Sequence, residues 1–382
     1  MGKDIFKRKV LPVVLIILAI VCSLLSGSFN AGEVETSNPQ DDVSQSVSVS
    51  PDLPVSNSPE IIDDPSPEVE TQKTFLISMI GDCTLATVPG YEGSEYAYET
   101  IVNSDFSYPF AKTRQYFEND DLTFANFESC LTTSTDAVAK TFIFKTDPSY
   151  AEVMKEGSVE LVTLANNHIN DFGEQGAEDT KEALLDAGVA SVGRNECLIY
   201  ETAGGLKIGV YAASFGETSQ IQSGIKQLQD DGADFIIAAL HWGDEGSYTP
   251  NQTQISQGHA AIDAGADFVY GSHPHTLQPY EEYNGHYIYY SMGNWTFGGN
   301  TNPRDKDTFI LQLTLERLED GSVIVSERTH IPCASSGETS YNNYQPVPYE
   351  EDSEGYARVL SKLEGTFSGE NLSIGYGYTV NE

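Results

Sequence analysis

Five short polar runs hold most of the side chains that could do chemistry, and each follows an apolar, β-rich stretch. They are Gly81-Asp82, Ala165-Asn166-Asn167-His168, His241-Trp242-Gly243, Gly271-Ser272-His273-Pro274-His275 and Ser291-Met292-Gly293-Asn294. Four of the seven histidines fall in them: His168, His241, His273 and His275. Imidazole, carboxylate and amide oxygens without thiolate suit borderline or hard ions such as Mn, Fe or Zn, not a soft-metal cluster. His259, His286 and His330 lie elsewhere and read as solvent-facing or internally satisfied. Trp242 and Trp295 border the expected cleft and read as packing. Cys83, Cys130, Cys197 and Cys333 are widely spaced with no C-x-x-C pair. Three full pairings are formally open, and the plain reading is isolated thiols.

The elements that must position these runs follow from hydrophobic patterning. Strands are expected over 74–80, 159–164, 206–212, 234–240, 267–270, 287–290, 309–315 and 323–326, the last two joined as a hairpin across Glu319-Asp320-Gly321. Helices are expected over 177–187, where Gly188 stops the run, over 221–230, and over 250–264. For the third, Thr249 is the expected N-cap and Pro250 sits in the first turn. Strand–helix alternation gives an α/β class with a largely parallel sheet, and the late hairpin adds antiparallel strands. In such sheets ligands gather at the carboxyl ends of the strands, so the five runs should meet on one rim. The last 45 or so residues, rich in Tyr, Gly and Glu, are weakly patterned.

Charge narrows the partners. Against 57 Asp and Glu stand only 20 Lys and Arg, a net charge of −37. Capture of nucleic acid needs cations to release phosphate counterions, so that class is excluded. Lys3, Lys7, Arg8 and Lys9 precede an apolar run from Val10 to Leu25. A charged segment followed by an apolar one is the pattern of an export signal, and the positive cluster puts the remainder outside. Residues 1–30 therefore read as a single-pass N-terminal signal or anchor in the cell membrane with an extracytoplasmic domain. Secretion after signal cleavage is the alternative. Residues 31–72 carry ten Asp or Glu, six Pro, no Lys or Arg and no aromatic residue. Such a stretch buries too little apolar area to offset its ordering entropy and reads as a disordered acidic tether. A domain over 73–335 and a C-terminal extension over 336–382 complete the expected organisation.

With these residues in view, the chain resembles the CapA-type poly-γ-glutamate capsule proteins, a branch of the calcineurin-like metallophosphoesterase superfamily. The resemblance covers about residues 75–335. It is most specific at 165–173 and from His241 to Phe297, where His241-Trp242-Gly243-Asp244-Glu245, Gln254, His273-Pro274-His275, Gln278-Pro279 and Ser291-Met292-Gly293-Asn294 fall in family positions. Gly81-Asp82 and Asn126-Phe127-Glu128 match two earlier motifs.

The resemblance implies an α/β sandwich of two mixed β-sheets flanked by helices, and a site holding two divalent ions. It casts Asp82, Glu128, Asn167, His241, His273 and His275 as metal ligands, and His168 as an acid or transition-state stabiliser. Asp171 and Glu245 become the expected holders of a ligand histidine's second ring N–H, with Asn294 also supporting the site. Two-metal sites of this kind activate water and clamp the attacking and leaving oxygens. The motif Asp82-Cys83-Thr84 departs from the superfamily's D-x-H by placing Thr where a histidine ligand belongs. The implied activity is that of a metal-dependent hydrolase of metallophosphoesterase type, acting on an anionic polymer or a phosphoester. The implied role is synthesis, export or anchoring of poly-γ-glutamate or a related envelope polymer beside membrane synthase subunits. An extracellular metallophosphoesterase unrelated to capsule, and a non-catalytic scaffold for a synthase, are the alternatives. The −37 charge disfavours direct capture of polyglutamate unless metal ions mediate it.

Overall fold

The chain lays down half of one sheet, builds a second, and then returns to finish the first. The computed structural model describes residues 18–20 and 73–372; the expected tether, and the expected anchor apart from Leu18–Ile20, lie outside them. Thr74–Thr84 (β1), Leu122–Phe127 (β2), Leu161–Thr163 (β3) and Ala190–Val192 (β4) run parallel in that order. Glu196–Glu201 (β5) turns back against Lys207–Ser214 (β6), which starts a second parallel row continued by Phe235–His241 (β7) and Phe268–Ser272 (β8). Tyr280–Tyr283 (β9) and His286–Tyr289 (β10) form a hairpin whose second strand joins β8 in parallel. Asn294–Phe297 (β11) then pairs with the end of β1, and Asp307–Arg317 (β12), Val323–Ala334 (β13) and Val347–Pro348 (β14) extend the first sheet antiparallel. Leu18–Ile20 lies antiparallel beside β5 at the edge of the second sheet.

Both sheets are therefore mixed, and their side chains explain why they stack. Successive residues of a strand face opposite sides. Phe235, Ile237 and Ala239 of β7 enter a core between the sheets with Phe75, Ile77, Met79 and Phe124. Ile236, Ala238 and Leu240 face outward, under Thr218–Asp230 (α2) and Gln252–Asp263 (α3), after Gly173–Ala187 (α1) has covered the other sheet. There Leu184 of α1 packs with Ile80, Ala125 and Val162. Each fully buried Ile, Leu or Phe contributes roughly 1.5–3 kcal/mol. The result is the expected sandwich, helices outside two mixed sheets. A later helix, Glu354–Leu363 (α4), inserts Val359 and Leu363 into the inter-sheet core.

The structure differs from the sequence reading in several places, and the strands β2, β4, β5, β9, β11 and β14 were not expected. The helix expected from Pro250 with a Thr249 cap begins at Gln252, and Asn251 is its N-cap, accepting from the N–H groups of Thr253 and Gln254. Gln254 returns a bond to the Asn251 N–H, a reciprocal pair that leaves Pro250 outside the helix. The weakly patterned C-terminal stretch contains α4. Among the described residues Cys83, Cys130, Cys197 and Cys333 are all buried, and Cys83, Cys130 and Cys333 are free thiols. Among the described residues no helix is long and apolar enough to cross a membrane.

Candidate metal centre

A break in the first sheet prepares the site. The β1–β2 register shifts between Met79 and Asp82. Tyr270 of β8 reaches across from the other sheet into this gap, its hydroxyl donating to the Ile80 carbonyl (2.7 Å) and accepting from the Asn126 N–H (3.0 Å). Next to it, a Cβ on Gly81 would stand 2.1 Å from the Gly293 carbonyl oxygen. Only glycine lets that backbone approach so closely. The Asp82 N–H donates to the same carbonyl at 2.8 Å, which brings Asn294 alongside Asp82.

The expected residues converge here, at the carboxyl ends of β1, β2, β3, β7 and β8. Asn167 Oδ1 lies 2.8 Å from His241 Nε2, and that nitrogen is 3.6 Å from Glu128 Oε1. His275 bridges the carboxylates, with Nδ1 3.1 Å from Asp82 Oδ2 and Nε2 3.8 Å from Glu128 Oε1. Ligand atoms of Glu128, His273 and His275 lie within 4.8 Å of one another. The His241 and His273 ring centroids are 4.7 Å apart. His273 (φ 97°) and His275 (φ 57°) both take left-handed backbone conformations, which turn two nearby histidines of one loop into the same site.

The donor set fits divalent ions on an independent observation. Thr84 Oγ1 and His273 Nδ1 are buried and have no hydrogen-bond partner, and the buried Asp82 Oδ2 and Glu128 Oε1 meet only histidine nitrogens, at 3.1 to 3.8 Å. Buried polar atoms normally find a partner, so under-satisfied oxygens and a bare ring nitrogen among these residues mark a place prepared for something else. Electrostatics agrees. Burial, then the Asp82 charge, raises the Glu128 carboxyl well above its ordinary range. Burial would lower His275, but the Glu128 and Asp82 carboxylates overcome it and lift the ring to about 10. Two crowded carboxylates in a dry pocket call for positive charge, which divalent ions would supply. Burial and neighbouring histidines hold His241 well below its ordinary value and His273 at about 3. Both rings are thus neutral and able to offer a lone pair.

His168 stands apart from this set. Its Nδ1 lies 2.7 Å from Asp171 Oδ2, and no hydrogen bond holds Nε2. Phe144 packs on the ring, with centroids 4.6 Å apart. Burial lowers its pKa, against the opposing pull of Asp171.

The supporting residues differ in part from expectation. Asp171 does not hold a ligand histidine; it orients His168, accepts the Phe144 N–H at 2.8 Å, and pairs with Lys140 at 3.0 Å. Glu245 bonds neither His241 nor His275 and acts on His275 through its charge. The group beside His241 Nδ1 is Ser272 Oγ, at 2.9 Å. Asn294 sits beside His275, its Oδ1 3.0 Å from Nδ1 and its amide donating to the His275 carbonyl at 3.1 Å. Asn126, quoted in a motif but given no role, has an amide that donates to both Asp82 (2.8 Å) and Glu128 (3.0 Å). Sequence reasoning missed Lys140, which donates to the Asn167 carbonyl at 2.8 Å and to Asp171. Of the histidines set aside, His259 pairs with Glu281, His286 with the Asp267 carbonyl and His330 with the Tyr289 hydroxyl. Trp242 and Trp295 are both buried in packing.

The family model described as "Bacterial capsule synthesis protein PGA_cap" matches residues 76–299, more than half the chain and all five polar runs. The chain belongs to this family. It is 25% identical over 285 residues to the capsule biosynthesis protein CapA of Bacillus anthracis, covering 66% of each chain. The chain thus spans just under two thirds of that relative's length. It is 28% identical over 303 residues to the PGA biosynthesis protein CapA of Bacillus subtilis, covering 70% of this chain and 76% of the relative. A probable polyglutamine synthesis accessory protein of Mycobacterium tuberculosis is 27% identical over 261 residues, 58% of this chain and 68% of the relative.

Proposed function

We propose that this chain is a membrane-tethered, extracytoplasmic protein of poly-γ-glutamate synthesis, export or anchoring, working beside membrane synthase subunits through a metal-dependent hydrolytic site. The carrying observation is the burial and convergence of Asp82, Glu128, Asn167, His241, His273 and His275, with polar atoms left under-satisfied among them. The names of the relatives support the polymer; the sequence of residues 1–30 supports the tether.

Glu128, Asn167, His241 and His273 would hold one ion, and Asp82, Glu128 and His275 a second, with the Thr84 hydroxyl where the wider superfamily has an imidazole. Bound there, the ions would supply an activated water and neutralise charge developing on a cleaved linkage. The chain's own contribution is positional. Asn126 fixes both carboxylates, Ser272 and Asn294 orient His241 and His275, and Lys140 braces the Asn167 carbonyl and Asp171. Asp171 stabilises the protonated form of His168, which donates from Nε2 to a leaving group. Elemental analysis of the purified protein, followed by assays on a γ-glutamyl polymer and on a generic phosphodiester, tests the reading. Bound metal with polymer cleavage supports it; turnover of the phosphodiester alone transfers the site to a capsule-independent phosphoesterase. A protein without metal overturns it.

A further inference from the structure

Phe215 follows directly on β6, where every tendency of a phenylalanine is opposed. Its φ of 47° is a left-handed conformation, open to glycine or asparagine but a real outlier for a bulky side chain. Its N–H donates to the His241 carbonyl at 3.0 Å, which fixes that turn against the end of β7. The ring is 53% exposed, more than any other aromatic side chain among the described residues. Neither packing nor backbone preference selects a phenyl group here.

The ring's position supplies a reason. Its plane is nearly perpendicular to the His273 ring, with centroids 4.9 Å apart at 82°, and to the His241 ring, at 6.1 Å and 86°. A half-exposed aromatic ring thus stands in contact with two of the candidate ligands. A chain of net charge −37 repels a polyanion. Recognition of γ-glutamyl polymer has to draw on the ions and on the polymer's uncharged parts, its amide planes and paired methylenes. An exposed aromatic ring offers those groups a flat apolar surface.

We infer that Phe215 determines specificity at this site by seating the amide plane and adjoining methylenes of a γ-glutamyl chain beside the metal centre. The inference rests on the polymer reading proposed above. Its test uses the full chain loaded with Mn or Zn and a short synthetic γ-glutamyl oligomer, with affinity, metal content and Tm measured for wild type, Phe215→Gly and Phe215→Trp. Phe215→Gly should keep its metal, melt higher because the strain is relieved, and bind oligomer about tenfold more weakly. Phe215→Trp should bind within about threefold of wild type, on the same arithmetic. A more stable protein that binds its ligand less well is an outcome a purely structural ring does not give. If Phe215→Gly binds oligomer as wild type does, the inference fails while the polymer reading stands. If it loses metal, the ring serves His273 and the inference fails likewise. A metal-loaded wild type that ignores the oligomer overturns both.

Discussion

Asn167 and His168 are neighbours with different work, so substituting each separates binding from chemistry. Asn167 Oδ1 shares its surroundings with His241 Nε2, whereas His168 is turned onto Asp171 and Phe144. Asn167→Ala should lose metal and activity together. His168→Ala should keep its metal, as read by elemental analysis, while turnover falls ~10²–10⁴-fold, the range for lost acid–base catalysis. A metal-free His168→Ala protein, or a fully active one, would refute the assignment. These two residues were legible because His and Asn behind a β-rich run stand out against an apolar background. Asn126, Ser272 and Lys140 were not. Asn126 and Ser272 fell inside quoted motifs, but their type and spacing did not show that one would hold two carboxylates and the other a histidine, and Lys140 reaches the site only through the course of its loop.

Secondary elements carry their own titrations and anchors. At the start of β3, burial and the nearby Asp120 charge push the Glu160 carboxyl up to about 8, and burial pushes Asp120 to about 7. Both values lie above the ordinary ones of 4.5 and 3.8, so between about pH 4.5 and 8 the folded form holds protons that the unfolded chain has released. Stability from these groups is full below that window and is lost as pH rises through it. Glu160→Gln keeps an acceptor for the Thr123 N–H but cannot ionise. Its Tm should decline less than wild type from about pH 5 to about pH 8; parallel curves would contradict the assignment. At the other end of the fold, Lys362 of α4 is 3% exposed and pairs with Asp305 (2.6 Å) and Asp307 (2.7 Å). Lys362→Met strands those carboxylates and should cost ~3–5 kcal/mol in denaturant unfolding. An unchanged midpoint would show that Arg358, 2.6 Å from Asp307, suffices alone. The helix bearing Lys362 did have a sequence signal, Ser353 as cap and apolar residues at Tyr356, Val359, Leu360 and Leu363. Glycines and acids on both sides obscured it. The capping pair of Asn251 and Gln254 was equally readable, and Pro250 drew the boundary too early.

At the scale of the whole molecule, alternation of strands and helices made the class readable. Which strands share a sheet was not, because β11 to β14 return to the first sheet only after the second is complete. Charge is a property of this scale as well. Long-range fields act mainly on association rate, and salt removes them beyond a Debye length of about 10 Å at 0.1 M. Between a chain of charge −37 and an anionic polymer the long-range term is repulsive, even if the contact itself is favourable through ions and the Phe215 ring. Raising NaCl from about 20 to about 200 mM should therefore speed association of a γ-glutamyl oligomer with the metal-loaded protein. Chelation of the metal should abolish binding at either salt concentration. Stopped-flow measurement of the association rate distinguishes this from capture by a local cationic patch, which slows as salt is added. A rate that falls with salt would mean that Lys and Arg side chains, few as they are, dominate the encounter, and the metal-mediated account of recognition would have to be given up.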